Sequence, residues 1–268
     1  MRTNVLKFFT YFLLLTAFLF VGSMSVPAQQ DEIPQPEGGP EFTERIRYPV
    51  SNIILQQRYP DTIVLSGDQT ENKIAVTFDD GPDPRFTPQI LDVLAENNVP
   101  ATFFLMGARA EAYPELVNRI MEEGHIVGNH TYWHPNLVEE DDIATLENEV
   151  TRTEDALAEL IGYRTSLFRA PYGFLYNELV EKLDDLDYTV VGWTVDSLDW
   201  QEEPPEEITN NVVNNIHPGA IILMHDGAEW DSDRTNTIAS LQQVITELAG
   251  QGYEFVTVPE LLGIPYQK

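Results

Sequence analysis

No cysteine occurs in the 268 residues, which excludes a disulfide framework, a thiolate-bound metal, a thiol nucleophile and a lipid-modified cysteine anchor. Basic residues are scarce: 15 lysines and arginines stand against 44 acids, a formal charge of −29. A protein that tracks a polyanion needs a basic face, so a nucleic-acid partner is disfavoured. Neither GxGxxG nor GxxxxGKS/T appears, which removes support for the nucleotide-binding versions of an open α/β sheet. The apolar run at 8–21 has fourteen residues, short of the ~20 that span a bilayer. An enzyme built on this chain works with histidine, carboxylates, hydroxyls or a metal ion. No feature calls for an obligate protein partner.

Arg2 and Lys7 precede the apolar run, and small residues around Val26-Pro27-Ala28 follow it. This order reads as a secretory signal peptide over 1–28, cleaved after Ala28, with an uncleaved membrane anchor as the alternative. The expected location is secreted, periplasmic or at the cell surface. Residues 29–70 read as an acidic, Pro/Gly-rich linker followed by an N-terminal extension. Short apolar patches there, Ile53-Ile54-Leu55 and Ile63-Val64-Leu65, suit an edge strand. Acid pairs such as Glu202-Glu203 read as solvated surface.

A regular rhythm fills 71–265, the expected catalytic domain. Apolar, strand-like runs fall at 74–78, 101–105, 126–128, 167–168, 189–195, 220–224 and 255–258. Helical patterns separate them, one opening at Thr87-Pro88 as N-cap and first helical position, another closing at Gly162. Strands alternating with helices predict an α/β fold with a parallel sheet. An open doubly wound sheet also fits the alternation; the expectation is a distorted parallel (β/α) barrel with about seven units.

In such a barrel the chemistry collects where strands end. Asp79 and Asp80 follow the first strand, His130 and His134 the third, Arg169 the fourth, Asp196, Asp199 and Trp200 the fifth, and His225 with Asp226 the sixth. His130 and His134 are four apart, so in a helical turn both imidazoles face one way. A carboxylate from a neighbouring strand end completes a set of two histidines and one acid, a ligand pattern for a catalytic divalent ion with open positions. Zinc is the default, and nitrogen–oxygen ligation also admits cobalt or nickel. Side chains of adjacent Asp79 and Asp80 diverge on an extended segment, so one can bind the ion while the other acts as base toward water. Arg169 would hold a carboxylate aligned, and Asp199 would favour protonated His225, a candidate general acid. Trp133, Tyr172, Phe174, Trp200 and Trp230 fall on rim loops, where aromatic faces stack on sugar rings. His125 and His217 precede strands and read as structural.

Thr77-Phe78-Asp79-Asp80-Gly81, His130-Thr131-Tyr132-Trp133-His134, Arg169-Ala170-Pro171-Tyr172-Gly173, Asp196-Ser197-Leu198-Asp199-Trp200 and Leu223-Met224-His225 resemble the five ordered motifs of the polysaccharide deacetylases, carbohydrate esterase family four. The resemblance implies metal-dependent hydrolysis of acetyl groups on a polysaccharide by a distorted barrel of about seven units. It implies Asp79 as general base, Asp80, His130 and His134 as metal ligands, and Arg169 as the group aligning the base. His225 becomes the general acid tuned by Asp199, the Tyr172 backbone N–H an oxyanion donor, and Trp200 a wall of the substrate pocket. Trp133 and Tyr172 join Trp200 as expected sugar contacts. The substrate expected first is peptidoglycan N-acetylglucosamine, then chitin oligomers. An esterase for O-acetylated xylan and a noncatalytic glycan-binding module are the alternatives.

Overall fold

The computed structural model describes residues 48–140 and 142–268. The expected signal peptide and the linker that follows it, up to residue 45, lie outside the described residues. Among the described residues nine strands are present: β1 (Ile63–Val64), β2 (Lys73–Asp79), β3 (Thr102–Leu105), β4 (Ile126–Asn129), β5 (Leu167–Phe168), β6 (Thr189–Val191), β7 (Val195–Asp196), β8 (Ile221–His225) and β9 (Glu254–Phe255). Eight lie in the order β1-β6-β5-β4-β3-β2-β8-β7, every neighbouring pair parallel, and β9 pairs with the start of β2. The sheet curls into a half-barrel flanked by helices, the α/β architecture that the alternation predicts.

The central strands β2, β3 and β8 are buried along almost their whole length, as expected where a parallel sheet is covered on both faces. Alternation along β2 sorts its residues. Ile74, Val76 and Phe78 pack outward with Ile90, Leu91 and Leu94 of the helix Thr87–Asn97. Ala75 faces the other way, with Phe104, Leu167, Val191 and Ile221. Thr77 and Asp79 share that inward side, so period-two geometry delivers the Asp79 carboxylate to the interior of the half-barrel.

Long helices follow the expected plan at Pro114–Glu122, Ile143–Ile161, Asn177–Asp185, Pro205–Val213 and Thr235–Gly250. Asp142 caps the longest through its side chain, and Gly162 ends it at φ 83°. Thr87 departs from its expected capping role. The N-cap position belongs to Phe86, and the Thr87 hydroxyl turns inward, accepting from Asp83 N at 2.8 Å and donating to Asp226 Oδ2 at 2.6 Å. The last expected strand is cut short to Glu254–Phe255, and a helix, Val258–Leu262, begins at its final expected residue.

Two further differences bear on the cleft. The expected strand 189–195 is two strands with different neighbours, β6 between β5 and β1, and β7 beside β8. At the break the carbonyls of Val191 and Gly192 accept from Arg169 Nε (3.0 Å) and Nη2 (3.2 Å). A Cβ at Gly192 would stand 2.4 Å from Leu65 Cδ2, so a larger residue there would displace the Leu65 side chain. No ladder joins β7 to β1 among the described residues; an isolated antiparallel bridge, Ser66 to Ala220, reaches across instead. Second, the folded part begins upstream of residue 71. The helix Asn52–Arg58 and β1 belong to it, with Leu55, Ile63 and Leu65 buried beside Val190.

Candidate active site

Parallel strands bring their carboxyl ends to one rim, and the register there is direct. Asp79 pairs with Phe104 and His225, Leu105 with Asn129, and Asn129 with Phe168. The residues that follow these ends line a single cleft of about 400 Å³, among them Asp79, Asp80, His130, His134, Tyr172, Trp200 and His225.

Asp79 is buried and fixed by Arg169, whose Nη1 donates to Asp79 Oδ1 at 2.8 Å and to Thr77 Oγ1 at 2.7 Å. With its other two bonds at the β6 break, and Phe104 beneath it at 4.2 Å, this buried guanidinium is held on every side. A buried ion pair gives little net stability once desolvation is counted; what it secures here is direction. Oδ2 of Asp79 is left facing the cleft, 3.8 Å from His130 Nε2.

The expected divergence of the two aspartates does not occur. Strand geometry ends at Asp79, and Asp80 turns left-handed at φ 72°, which swings both carboxylates to the same cleft. Such a conformation costs a non-glycine residue roughly 1–2 kcal/mol. Its carbonyl is tied by Arg109 Nη1 at 3.0 Å. The histidine pair also departs from expectation, since residues 131–136 form neither helix nor strand. Thr131 and His134 are left-handed at φ 65° and 61°, and this irregular loop, rather than a helical turn, brings the two rings to 5.0 Å.

Asp80 Oδ1 lies 3.3 Å from His130 Nε2 and 3.2 Å from His134 Nε2. His130 Nδ1 is 2.8 Å from the Arg169 carbonyl. A carbonyl can only accept, so Nδ1 carries a proton and Nε2 is the atom turned to Asp80; burial would lower the His130 pKa, but the charges of Asp79 and Asp80 outweigh it and raise it. Burial pushes the His134 pKa down to about 4, which keeps that ring neutral. Burial opposes ionisation of Asp80, but the neighbouring histidines outweigh it and hold the carboxyl well below its usual range. The decisive observation is that Asp80 Oδ1 is buried with no hydrogen-bond partner. A lone acceptor aimed at two imidazole nitrogens, all three within 4.8 Å, fits a divalent ion, since donors bound at about 2.0–2.2 Å stand near 3 Å apart.

On the neighbouring strand end Asp199 is buried and accepts twice from His225, at 2.7 Å from Nδ1 and 2.9 Å from the backbone N. Thr237 Oγ1 adds a third bond at 2.9 Å. Burial alone would lower the His225 pKa; the Asp199 charge and hydrogen bond outweigh it, with Asp80 and Asp79 adding, and push it up to about 9. With Nδ1 engaged, Nε2 of His225 is the atom left for the cleft.

Tyr172 (φ 59°) and Trp200 line the cleft with 57% and 51% of their surface exposed. Trp193, Phe174, Asp196 and Leu223 complete the wall. Trp193 sits inside the run that reads as one strand, and the glycine before it is the sequence signal for the break. Trp133, an expected sugar contact, stands beside the cleft lining and not in it, 62% exposed, packed edge-on against Tyr132 and 5.9 Å from Arg152. Trp230 is also outside the lining. Asp226 turns from the cleft toward Thr87, and burial, with Asp80 and Asp79 adding, pushes its pKa up to about 7. His125 is buried with Nδ1 accepting from Ala101 N at 3.1 Å, and burial lowers its pKa to about 4. His217 contacts Pro218 O and Thr194 Oγ1.

Residues 66–191 match the polysaccharide deacetylase family. A peptidoglycan-N-acetylglucosamine deacetylase of Bacillus cereus is 41% identical over 198 residues, 73% of this chain and 70% of that protein. A chitooligosaccharide deacetylase of Azorhizobium caulinodans is 34% identical over 200 residues, 71% of this chain and 95% of that one. The crystal structure of a peptidoglycan N-acetylglucosamine deacetylase in complex with 4-naphthalen-1-yl-N-oxidanyl-benzamide superposes with a TM-score of 0.77 at 36% identity, over 82% of this chain and all (100%) of that one. The chain belongs to the polysaccharide deacetylase family, carbohydrate esterase family four. It is therefore a hydrolase of the polysaccharide deacetylase class, and its His/Asp trio is a possible metal site of the kind that class requires.

Proposed function

We propose that this chain is an exported, metal-dependent hydrolase that removes N-acetyl groups from peptidoglycan N-acetylglucosamine, with chitin oligomers as the next substrate, and releases acetate. One observation carries the reading: a His/His/Asp trio whose spacing fits an ion, flanked in one cleft by an arginine-aligned aspartate and an aspartate-paired histidine. The basic start and apolar run within residues 1–28 support export. The relatives named for peptidoglycan and chitooligosaccharide support the substrate.

Asp80, His130 and His134 would hold the ion, zinc by default with cobalt or nickel admitted by the same ligands. When bound, a divalent ion polarises a carbonyl and lowers the pKa of water. Asp79 Oδ2 takes the proton of the attacking water, its other oxygen being held by Arg169. The Tyr172 backbone N–H stabilises the oxygen on which charge develops. His225, protonated on Nε2, gives that proton to the departing sugar nitrogen, and Asp199 steadies the imidazolium before transfer. Trp200 and Tyr172 offer half-exposed rings against which a sugar packs.

The test is acetate release from peptidoglycan, chitin oligomers and acetylxylan, before and after chelation and with zinc, cobalt or nickel returned. Acetate from the N-acetylated glycans, lost on chelation and restored by a divalent ion, is expected. Full activity in metal-free protein contradicts the mechanism. Acetate from acetylxylan alone makes the chain an O-acetyl esterase, and tight glycan binding without release on any substrate makes it a noncatalytic module.

A further inference from the structure

The loop after β4 carries both imidazoles of the metal trio without regular structure across 131–136 and with two left-handed residues. Such a segment has no ladder of its own to hold it, so its shape depends on groups outside it. Some ties are local: Thr131 N donates to Asn129 Oδ1 at 3.0 Å, and His134 N to Thr131 Oγ1 at 3.1 Å. Others come from the helix Gly107–Ala112, whose Gly107 N and Ala108 N donate to the carbonyls of Thr131 (3.0 Å) and Tyr132 (3.2 Å).

One tie is of a different kind. Oε2 of Glu149 accepts from two consecutive backbone groups, Tyr132 N at 2.8 Å and Trp133 N at 2.7 Å. Glu149 lies on the helix Ile143–Ile161 and is buried. It is absent from the cleft lining, so it touches neither substrate nor ion. A buried carboxylate oxygen that gathers two N–H groups makes charge-assisted bonds, the stronger class. Those two groups belong to the residues in the middle of the His130 to His134 span.

We propose that Glu149 is a positioning residue for the metal centre: by gathering the Tyr132 and Trp133 N–H groups it sets the loop so that the Nε2 atoms of His130 and His134 stand 3.3 and 3.2 Å from Asp80 Oδ1. The inference rests on the reading of that trio as an ion site. Partners that orient metal ligands from behind typically contribute 10- to 100-fold to affinity.

The test is zinc titration of the purified protein under buffered free zinc, for the parent, Glu149→Gln and Glu149→Ala, with folding of each followed by thermal melting. The parent binds one zinc per chain. Glu149→Ala is expected to bind about 10- to 100-fold more weakly, and Glu149→Gln to fall between, because an amide oxygen still accepts but without charge. Acetate release plotted against free zinc then shifts to higher zinc and reaches the parent's plateau. Parental affinity in a folded Glu149→Ala overturns the proposal, as does parental affinity in Glu149→Gln should the alanine variant not fold. A lowered plateau with an unshifted zinc midpoint marks a merely structural residue and also overturns it. If the parent itself binds no zinc, the metal assignment falls first, which separates the two failures.

Discussion

Asp79→Asn is expected to keep its divalent ion and to lose turnover by about 10²- to 10⁴-fold, the range that removal of a general base produces. Asparagine preserves the shape of the side chain, and its amide oxygen can still accept from Arg169 Nη1, now 2.8 Å from Asp79 Oδ1. It cannot take a proton at the other position. Arg169 keeps its bonds to Thr77 and to the carbonyls of Val191 and Gly192, so the variant folds, with a lower melting temperature because a buried cation has lost its counter-charge. The ion should remain, since Asp79 is outside the trio of Asp80, His130 and His134. Zinc content and kcat measured on the same preparation check this; an active variant reassigns the base.

Asp199→Asn should move the alkaline limb of the pH–rate profile to lower pH by about 1–3 units, the range over which a neighbouring opposite charge shifts a pKa. The sign follows from the role of His225, which must carry its proton to act as an acid. Asp199 helps push the His225 pKa up to about 9, so the competent form persists below that value and disappears as pH rises through it. Without the carboxylate charge, burial regains control and the proton leaves earlier. Activity then falls most steeply at mildly alkaline pH and survives best on the acid side. The bond from His225 N to the same side chain means that some loss of kcat at every pH accompanies the shift. A limb that stays where the parent has it removes Asp199 from the tuning of the acid.

Much of this cleft can be read from the chain because one rule does most of the sorting. A parallel sheet points every strand's carboxyl end the same way, so Asp79, His130, Arg169, Asp199 and His225 can be gathered on one rim from their positions after apolar runs. What escapes is backbone conformation at single residues. Asp80, Thr131 and His134 are all left-handed, a state that favours glycine; aspartate and histidine enter it more readily than most residues but do not require it. The convergence of Asp79 with Asp80 follows from it, and so does a histidine pair carried by a loop in place of a helical turn. The break at Gly192 is equally hidden: it depends on Arg169 reaching across the half-barrel and on Leu65 packing from upstream. Two-residue strands such as β1 carry too few positions for any periodicity to show.

The account stands or falls on the convergence of Asp80, His130 and His134, and crystals grown with zinc measure it most directly. An anomalous-difference map at the zinc edge should show a peak within bonding distance, about 2.0–2.2 Å, of Asp80 Oδ1, His130 Nε2 and His134 Nε2 together. A map without density between those three atoms, with zinc bound elsewhere or not at all, contradicts it.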